Sequence, residues 1–207
     1  MELKLYSAVG SNSSERVEWA LNYKSIPYQR IEVSNKALVS SYLHINPFGY
    51  VPCLAVAGHM ISESMAIIEC IEELFPQQSL LGNSVFQRAA AREICEYVNS
   101  SIHAPQNRTV LKTFNPDLPE QAKRELRGQW ISECLSKLKQ KLCKDSPFAI
   151  GEDFTIADIF VATIYKKALQ HGSPDNDFYD EHLRWLRQDN RIQAAEPSID
   201  KPLSPVK

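Results

Sequence analysis

The chain of 207 residues has five cysteines (Cys53, Cys70, Cys95, Cys134 and Cys143) but no CxxC pair and no metal-ligand spacing. This argues against a zinc site or a dithiol redox centre, and no metal is expected. An odd cysteine count outside a secretory context fits reduced thiols in the cytoplasm, each read as a small buried hydrophobe. No apolar run approaches the ~18 residues of a spanning helix, so no membrane partner is expected. The net charge is only -2, which gives no electrostatic case for nucleic acid or an anionic membrane. The start "MELKLYSAVG" lacks the basic head and long apolar core of a signal peptide. No GxSxG elbow exists, and no His and Asp are spaced for a serine-hydrolase triad. Internal repeats and low-complexity tracts are absent too.

What is present is ordinary globular composition, 43% hydrophobic and 23% charged, enough chain for one large domain or two small ones. Up to Phe75 the signals alternate. "LKLYS" reads as a strand and "SSERVEWALNYK" as a helix with Ser14 as N-cap. "IPYQRIEVS" is a strand, and "KALVSSYLHI" a short helix ending at Asn46-Pro47. "CLAVAGHMIS" is a hairpin turning at Gly58-His59, and "SMAIIECIEELF" a helix stopped before Pro76. From Val85 onward the period is helical. "FQRAAAREICEYVNSSI" carries Ala90, Ile94 and Val98 on one stripe, and the helix after Pro119 carries Leu126, Trp130, Leu135, Leu138 and Leu142. "FTIADIFVATIYKKAL" and "DFYDEHLRWLRQ" are further helices, and the tail "EPSIDKPLSPVK" should lie extended over the surface. The expected domains are therefore an α/β unit over 1–77 and an all-α unit over 84–207.

Three short stretches could carry chemistry. Val51-Pro52 precedes a strand. It is either a strand stop or a cis-proline that frees the Val51 N–H and C=O for an extended peptide ligand. Glu63-Ser64 stands where a helix begins. It is either a cap, with Ser64 in that role, or a site for a zwitterion: helix N–H groups and a hydroxyl for a carboxylate, an acid for an ammonium. In "GSNSSERV" the residues Ser11, Asn12, Ser13 and Ser14 can all cap or turn. A hydroxyl there could also donate to a ligand thiolate and lower that thiol's pKa. A strand edge, a zwitterion pocket and a thiolate donor together describe glutathione.

At this point the chain resembles the cytosolic glutathione transferases along nearly its whole length. "INPFGYVPCLAVAGHMISESMAIIECIEEL" looks like the family's N-P-x-G-x-V-P-x-L…[EQ]-S-x-A-I signature, which is highly specific. "FTIADI" is similar to the family's buried capping box, with Thr155 capping and Asp158 reaching back. "SNSSERV" looks like the zeta class S-S-C-S-x-R-V, with Asn12 for the second Ser and Ser13 for the Cys. "IHAPQNRTVL" is similar to the zeta class I-[QH]-P-x-[QN]-N-x-x-V-L and places His103 and Asn107 near glutathione. The class often has Arg where this chain has Gly10, and its N-A-x-R-F becomes "KALQH", with Gln170 at the Arg position.

The resemblance implies a thioredoxin-like first domain, an all-helical second domain that forms the electrophile site, and glutathione as co-substrate or cofactor. It makes Ser11 the thiolate stabiliser, with Asn12 and Ser13 as backups. Val51 and Pro52 would hold the cysteinyl backbone, and Glu63 and Ser64 the γ-glutamyl group. A cytoplasmic homodimer acting on a small electrophile is expected. The alternative is a zeta-type cis–trans isomerase of maleylacetoacetate or maleylpyruvate, in which Arg108 or Lys112 could supply cations. A second alternative is a non-catalytic binding module. A thiol-disulfide oxidoreductase would need a cysteine after the first strand, where this chain has serines.

Overall fold

Leu3, Leu5 and Ser7 alternate with Lys4 and Tyr6, and this period of two makes β1 (Leu3–Ser7) a strand with one fully buried side. In the computed structural model, which describes residues 1–197, β1 lies in a four-stranded sheet of order β2-β1-β3-β4. Strand β2 (Gln29–Glu32) pairs with it in parallel; β3 (Cys53–Val56) and β4 (His59–Ser62) add antiparallel. Helices α1 (Asn12–Tyr23), α2 (Asn35–Leu38) and α3 (Ser64–Leu74) complete the order β-α-β-α-β-β-α, the thioredoxin-like pattern.

The register sorts the two faces. Leu5 sits opposite Leu54 and Leu3 opposite Val56. This aliphatic face is joined in the core by Val17, Ala20 and Leu21 of α1 and by Ile67, Ile68 and Ile71 of α3, all buried. Each Val, Leu or Ile among them contributes roughly 1.5–3 kcal/mol by leaving water. On the other face Tyr6 packs against a cluster of Val33, Tyr42 and Cys53, with the Tyr6 and Tyr42 ring centroids 5.9 Å apart.

Local chemistry corrects four boundaries. The cap of α1 is Ser11 and not Ser14: Gly10, at φ 75°, reverses the chain directly before Ser11, whose Oγ accepts the Ser14 N–H at 3.3 Å. The segment 36–45 breaks into α2 and a 3-10 turn, Ser41–His44. Ser40 Oγ takes the Lys36 carbonyl at 2.7 Å, an acceptor that a continuing helix would use. The hairpin turns at Ala57-Gly58, because Val56 pairs with His59 and both turn residues have positive φ, 50° and 81°. That is the tight turn whose twist matches its strands, and Gly belongs at its second central position. Glu63, not Ser64, is the N-cap of α3, and its side chain makes no capping bond.

The chain divides into two units. The first is Met1–Gln78 together with the segment from Arg191, and the second is Ser79–Asn190. The helical period predicts a second unit over 84–207, whereas the stretch from Arg191, with most of α9 (Asn190–Ala195), packs with the first unit. There Trp19 Nε1 donates to the Ile192 carbonyl at 3.3 Å and Asn22 Nδ2 to that of Ala195 at 3.0 Å. The tail expected to lie extended falls, from Ser198, outside the described residues.

The second unit is helical: α4 (Val85–Glu96), a π-helical continuation Tyr97–His103, α5 (Arg108–Phe114), α6 (Glu120–Leu138), α7 (Ile156–Gln170) and α8 (Asp177–Leu186). Helix α7 is buried on every side from Ile156 to Tyr165 and packs against α4, α6 and α8. Its start is the expected capping box, closed by Thr155 N–H to Asp158 Oδ2 at 2.8 Å. Asp158 is fully enclosed and also accepts the Ala149 N–H at 2.6 Å. Burial pushes its carboxyl up, against the pull of His182 and these donors.

The stripe expected on α6 is shifted. Leu126 and Trp130 are exposed, and the buried side runs through Lys123, Arg127, Gly128, Ile131, Cys134, Leu135 and Leu138. Trp130 instead lies at the surface and donates Nε1–H to the Ser101 carbonyl at 3.0 Å.

Candidate active site

Strand register alone gathers the three motifs of the first unit. Tyr6 pairs with Cys53, and Cys53 pairs with Ser62. The loop after β1, the residues before β3 and the start of α3 after β4 therefore share one end of the sheet. Neighbouring strands lie about 4.8 Å apart, so this end spans roughly 10 Å from β1 to β4. An extended tripeptide, at about 3.3 Å per residue, has the same length.

Val51-Pro52 and Glu63-Ser64 arrive with unused polar groups. The Val51–Pro52 peptide is cis. Neither the N–H nor the C=O of Val51 has a hydrogen-bond partner among the described residues. Tyr50 precedes it, with its carbonyl held by Asn46 Nδ2 at 2.8 Å and Tyr42 Oη at 3.1 Å. At α3 the N–H groups of Ser64, Met65 and Ala66 are unpaired among the described residues, as are the Ser64 hydroxyl and the Glu63 carboxylate. Glu63 is exposed and sits at φ 71°, ψ 119°. A non-glycine residue in that region is costly, and such outliers concentrate at ligand clamps.

The β1–α1 loop is braced from behind. Val9 N–H donates to Glu32 Oε1 at 2.9 Å, Arg30 bridges Glu32 and Glu18 at 2.5 and 2.9 Å, and Glu18 accepts from Ser7 Oγ at 2.5 Å. Ser11 N–H closes the turn onto the Ala8 carbonyl at 3.0 Å. Of the serine-rich run, Ser11 and Ser13 are half-buried. Asn12 is buried, and its Oδ1 accepts from Arg16 Nη2 at 2.6 Å, which commits that side chain to the interior. Burial pushes the Cys53, Cys70 and Cys134 thiols up, away from the thiolate form, and none of the five cysteines is in a disulfide. Among the described residues no group of three or more side chains could hold a metal ion.

His103 and Asn107 belong to the second unit. His103 ends the π-helical segment, with its Nδ1 3.3 Å from Gln106 Nε2. Asn107 caps α5 by accepting the Thr109 N–H at 2.9 Å. Such π-helical insertions are rare and often mark functional positions; the sequence gives no local sign of this one. Arg108 and Lys112 are exposed, and Gln170 is an exposed acceptor for Lys167 Nζ at 3.2 Å.

Residues 5–79 match the family model "Glutathione S-transferase, N-terminal domain". The chain is 33% identical to the maleylacetoacetate isomerase of Pseudomonas aeruginosa over 77% of its own length and 78% of that protein. The chain belongs to the glutathione S-transferase family. It is also 32% identical to the zeta class glutathione S-transferase of Euphorbia esula, over 77% of this chain and 73% of that protein. Its fold overlays the maleylacetoacetate isomerase of Anaeromyxobacter dehalogenans, solved with glutathione in its active site. The TM-score is 0.82 at 29% identity, covering 99% of this chain and 98% of that one. Within the transferase family these relatives carry zeta-class and isomerase names. No described helix of this transferase is long and apolar enough to cross a membrane.

Proposed function

We propose that this transferase binds glutathione at the shared end of β1, β3 and β4 and adds its thiolate to an electrophilic carbon. The observation that carries the reading is the register Tyr6–Cys53–Ser62, which gathers the unpaired Val51 backbone, the α3 N-terminus and the Ser11 turn at one sheet end. Val51, beside Pro52, pairs strand-like with the cysteinyl residue. Glu63 takes the ammonium of the γ-glutamyl group, while Ser64 and the free N–H groups of α3 take its carboxylate. The Ser11 hydroxyl donates to the thiolate, with Ser13 the nearest substitute; Asn12, tied to Arg16, is the weaker one. A glutathione thiol lies near 8–9 unassisted, and a downward shift of roughly two units makes it mostly thiolate at neutral pH. His103 and Asn107 are assigned to glutathione by family resemblance. A cytoplasmic homodimer is part of the same reading.

A second reading is glutathione-dependent cis–trans isomerisation: thiolate addition to an alkene, rotation, and departure of the thiolate, which regenerates glutathione. The isomerase names of the relatives favour it. Gly10 and Gln170 stand where the class often carries arginine, and Gly10 sits at φ 75°, a conformation an arginine adopts only under strain. The first test is a calorimetric titration with glutathione. Micromolar to low-millimolar binding supports the reading, and assays with an electrophile and with a maleylacetone-type cis-alkene then separate transferase from isomerase. No binding at several millimolar overturns it in favour of a binding module.

A further inference from the structure

The turn that carries Ser11 runs from Ala8, closed by the Ser11 N–H on the Ala8 carbonyl at 3.0 Å, with Gly10 in third place at φ 75°. A four-residue turn with positive φ at its third residue favours glycine there. Val9 is second in the turn and exposed. The ladder between β1 and β2 ends just before it, with the Val33 N–H on the Ser7 carbonyl at 2.7 Å. The Val9 N–H is nevertheless not left to water: it donates to Glu32 Oε1 at 2.9 Å. Glu32 ends β2, the outer strand of the sheet, and its side chain is 48% exposed. A carboxylate in that place can point into solvent at no cost. Here both oxygens are used, because Oε2 accepts from Arg30 Nη1 at 2.5 Å. Arg30 is 11% exposed, and its Nε donates to Glu18 of α1 at 2.9 Å. Glu18 also accepts from Ser7 Oγ. One guanidinium therefore ties Glu32 to the helix that Ser11 caps, and the turn lies between two fixed points.

Exposed ion pairs contribute little to stability, so stability gives this chain of contacts no reason to end on a single loop amide. We propose that Glu32 is a positioning residue for the thiolate donor: with Arg30 behind it, its carboxylate fixes the Val9 amide and so the turn that aims the Ser11 hydroxyl. The proposal deepens the glutathione reading and rests on it. A donor held in place toward a negative charge stabilises it far more than a mobile one, and a displacement of about 1 Å can cost two orders of magnitude. Through space the Glu32 charge acts in the opposite sense, since a nearby anion disfavours a thiolate. The two effects differ in sign and are separable.

The test is the ultraviolet absorbance of the thiolate of bound glutathione, titrated against pH in the wild type, Glu32→Ala, Glu32→Gln and Ser11→Gly. Glu32→Ala should move the midpoint up by about one pH unit, a tenfold loss of thiolate preference. Glutathione affinity at about pH 5, where the sulfur is protonated, should not change. Glu32→Gln removes the charge but keeps a carbonyl oxygen for the Val9 N–H, so its midpoint should stay at or slightly below that of the wild type. Hydrogen exchange of the Val9 amide needs no ligand: it should be slow in the wild type and Glu32→Gln, and fast in Glu32→Ala. A midpoint that does not move in Glu32→Ala, or a Val9 amide that exchanges equally fast in both, overturns the positioning role. A midpoint that falls shows Glu32 acting by its charge alone and overturns it too. Ser11→Gly separates the two readings. If it shifts the midpoint and Glu32→Ala does not, the role of Glu32 fails alone. If it leaves the midpoint in place, or the wild type does not bind glutathione, the parent reading fails and this one with it.

Discussion

Lys24 and Glu72 meet at 2.7 Å inside the first unit, with side chains 1% and 5% exposed. The same ammonium donates to the carbonyls of Gln77 at 2.8 Å and Gln78 at 3.2 Å. It therefore ties the end of α1 to α3 and to the chain leaving α3. Lys24→Met takes the ammonium away from a buried carboxylate and two carbonyls, and should destabilise by about 3–5 kcal/mol in urea unfolding. Lys24→Met combined with Glu72→Leu should recover a large part of that loss. A single variant as stable as the wild type would show that the pair carries no such burden.

Much of this was legible in the sequence because it rested on local periodicity. The alternation in "LKLYS" and the apolar run of α7 need no tertiary information to be read. The glutathione motifs were legible as residues, but their meeting is a property of strand register. The misses share a cause. Ser11 through Ser14 are chemically equivalent caps, and only the reversal at Gly10 selects Ser11. On α6 the large residues Leu126 and Trp130 outweighed their neighbours in the pattern, while the buried side carries lysine, arginine and glycine.

Glu63 couples strain to the proposed ligand contact. At φ 71° its backbone occupies territory that suits glycine. Glu63→Gly should therefore raise stability, by about 1 kcal/mol, and weaken glutathione binding by about tenfold through loss of the carboxylate. Thermal unfolding and calorimetry on one preparation read both signs. A variant that loses stability and keeps its affinity would remove Glu63 from the site.

His171 sets a pH dependence. Burial first, then Lys167, Arg127 and Arg124, push it down to about 4 from an ordinary 6.5. The unfolded chain takes up a proton below 6.5 that the folded chain refuses until about 4. The stability held by this group is thus complete above 6.5, falls as pH drops through the window, and is flat below 4. The upper bound is about 3 kcal/mol, and partial exposure reduces it to about 1–2 kcal/mol. Urea midpoints of the wild type and His171→Gln at pH 7 and pH 5 give the comparison. The wild type should lose more than the variant, and equal losses would exclude His171 as the source.

Ser11 has two roles that a single alanine variant would confuse. Its Oγ caps α1 at 3.3 Å from the Ser14 N–H, and the proposed chemistry needs the same oxygen as a donor to sulfur. Both can hold at once, because the oxygen accepts from the backbone and its hydrogen is free to donate. Ser11→Ala should lose about 1 kcal/mol as a cap, while Ser11→Gly should lose only a few tenths. Both remove the donor, so both should lower turnover by about a hundredfold, the usual cost of one preorganised donor, with little change in glutathione affinity. The pH–rate profile should move up toward the free-thiol range of about 8–9. Ser11→Gly is the decisive variant, since its stability stays near wild type and a lost rate cannot be blamed on the helix. An unchanged profile in Ser11→Gly, beside a shifted one in Ser13→Gly, would move the thiolate donor two residues along the turn.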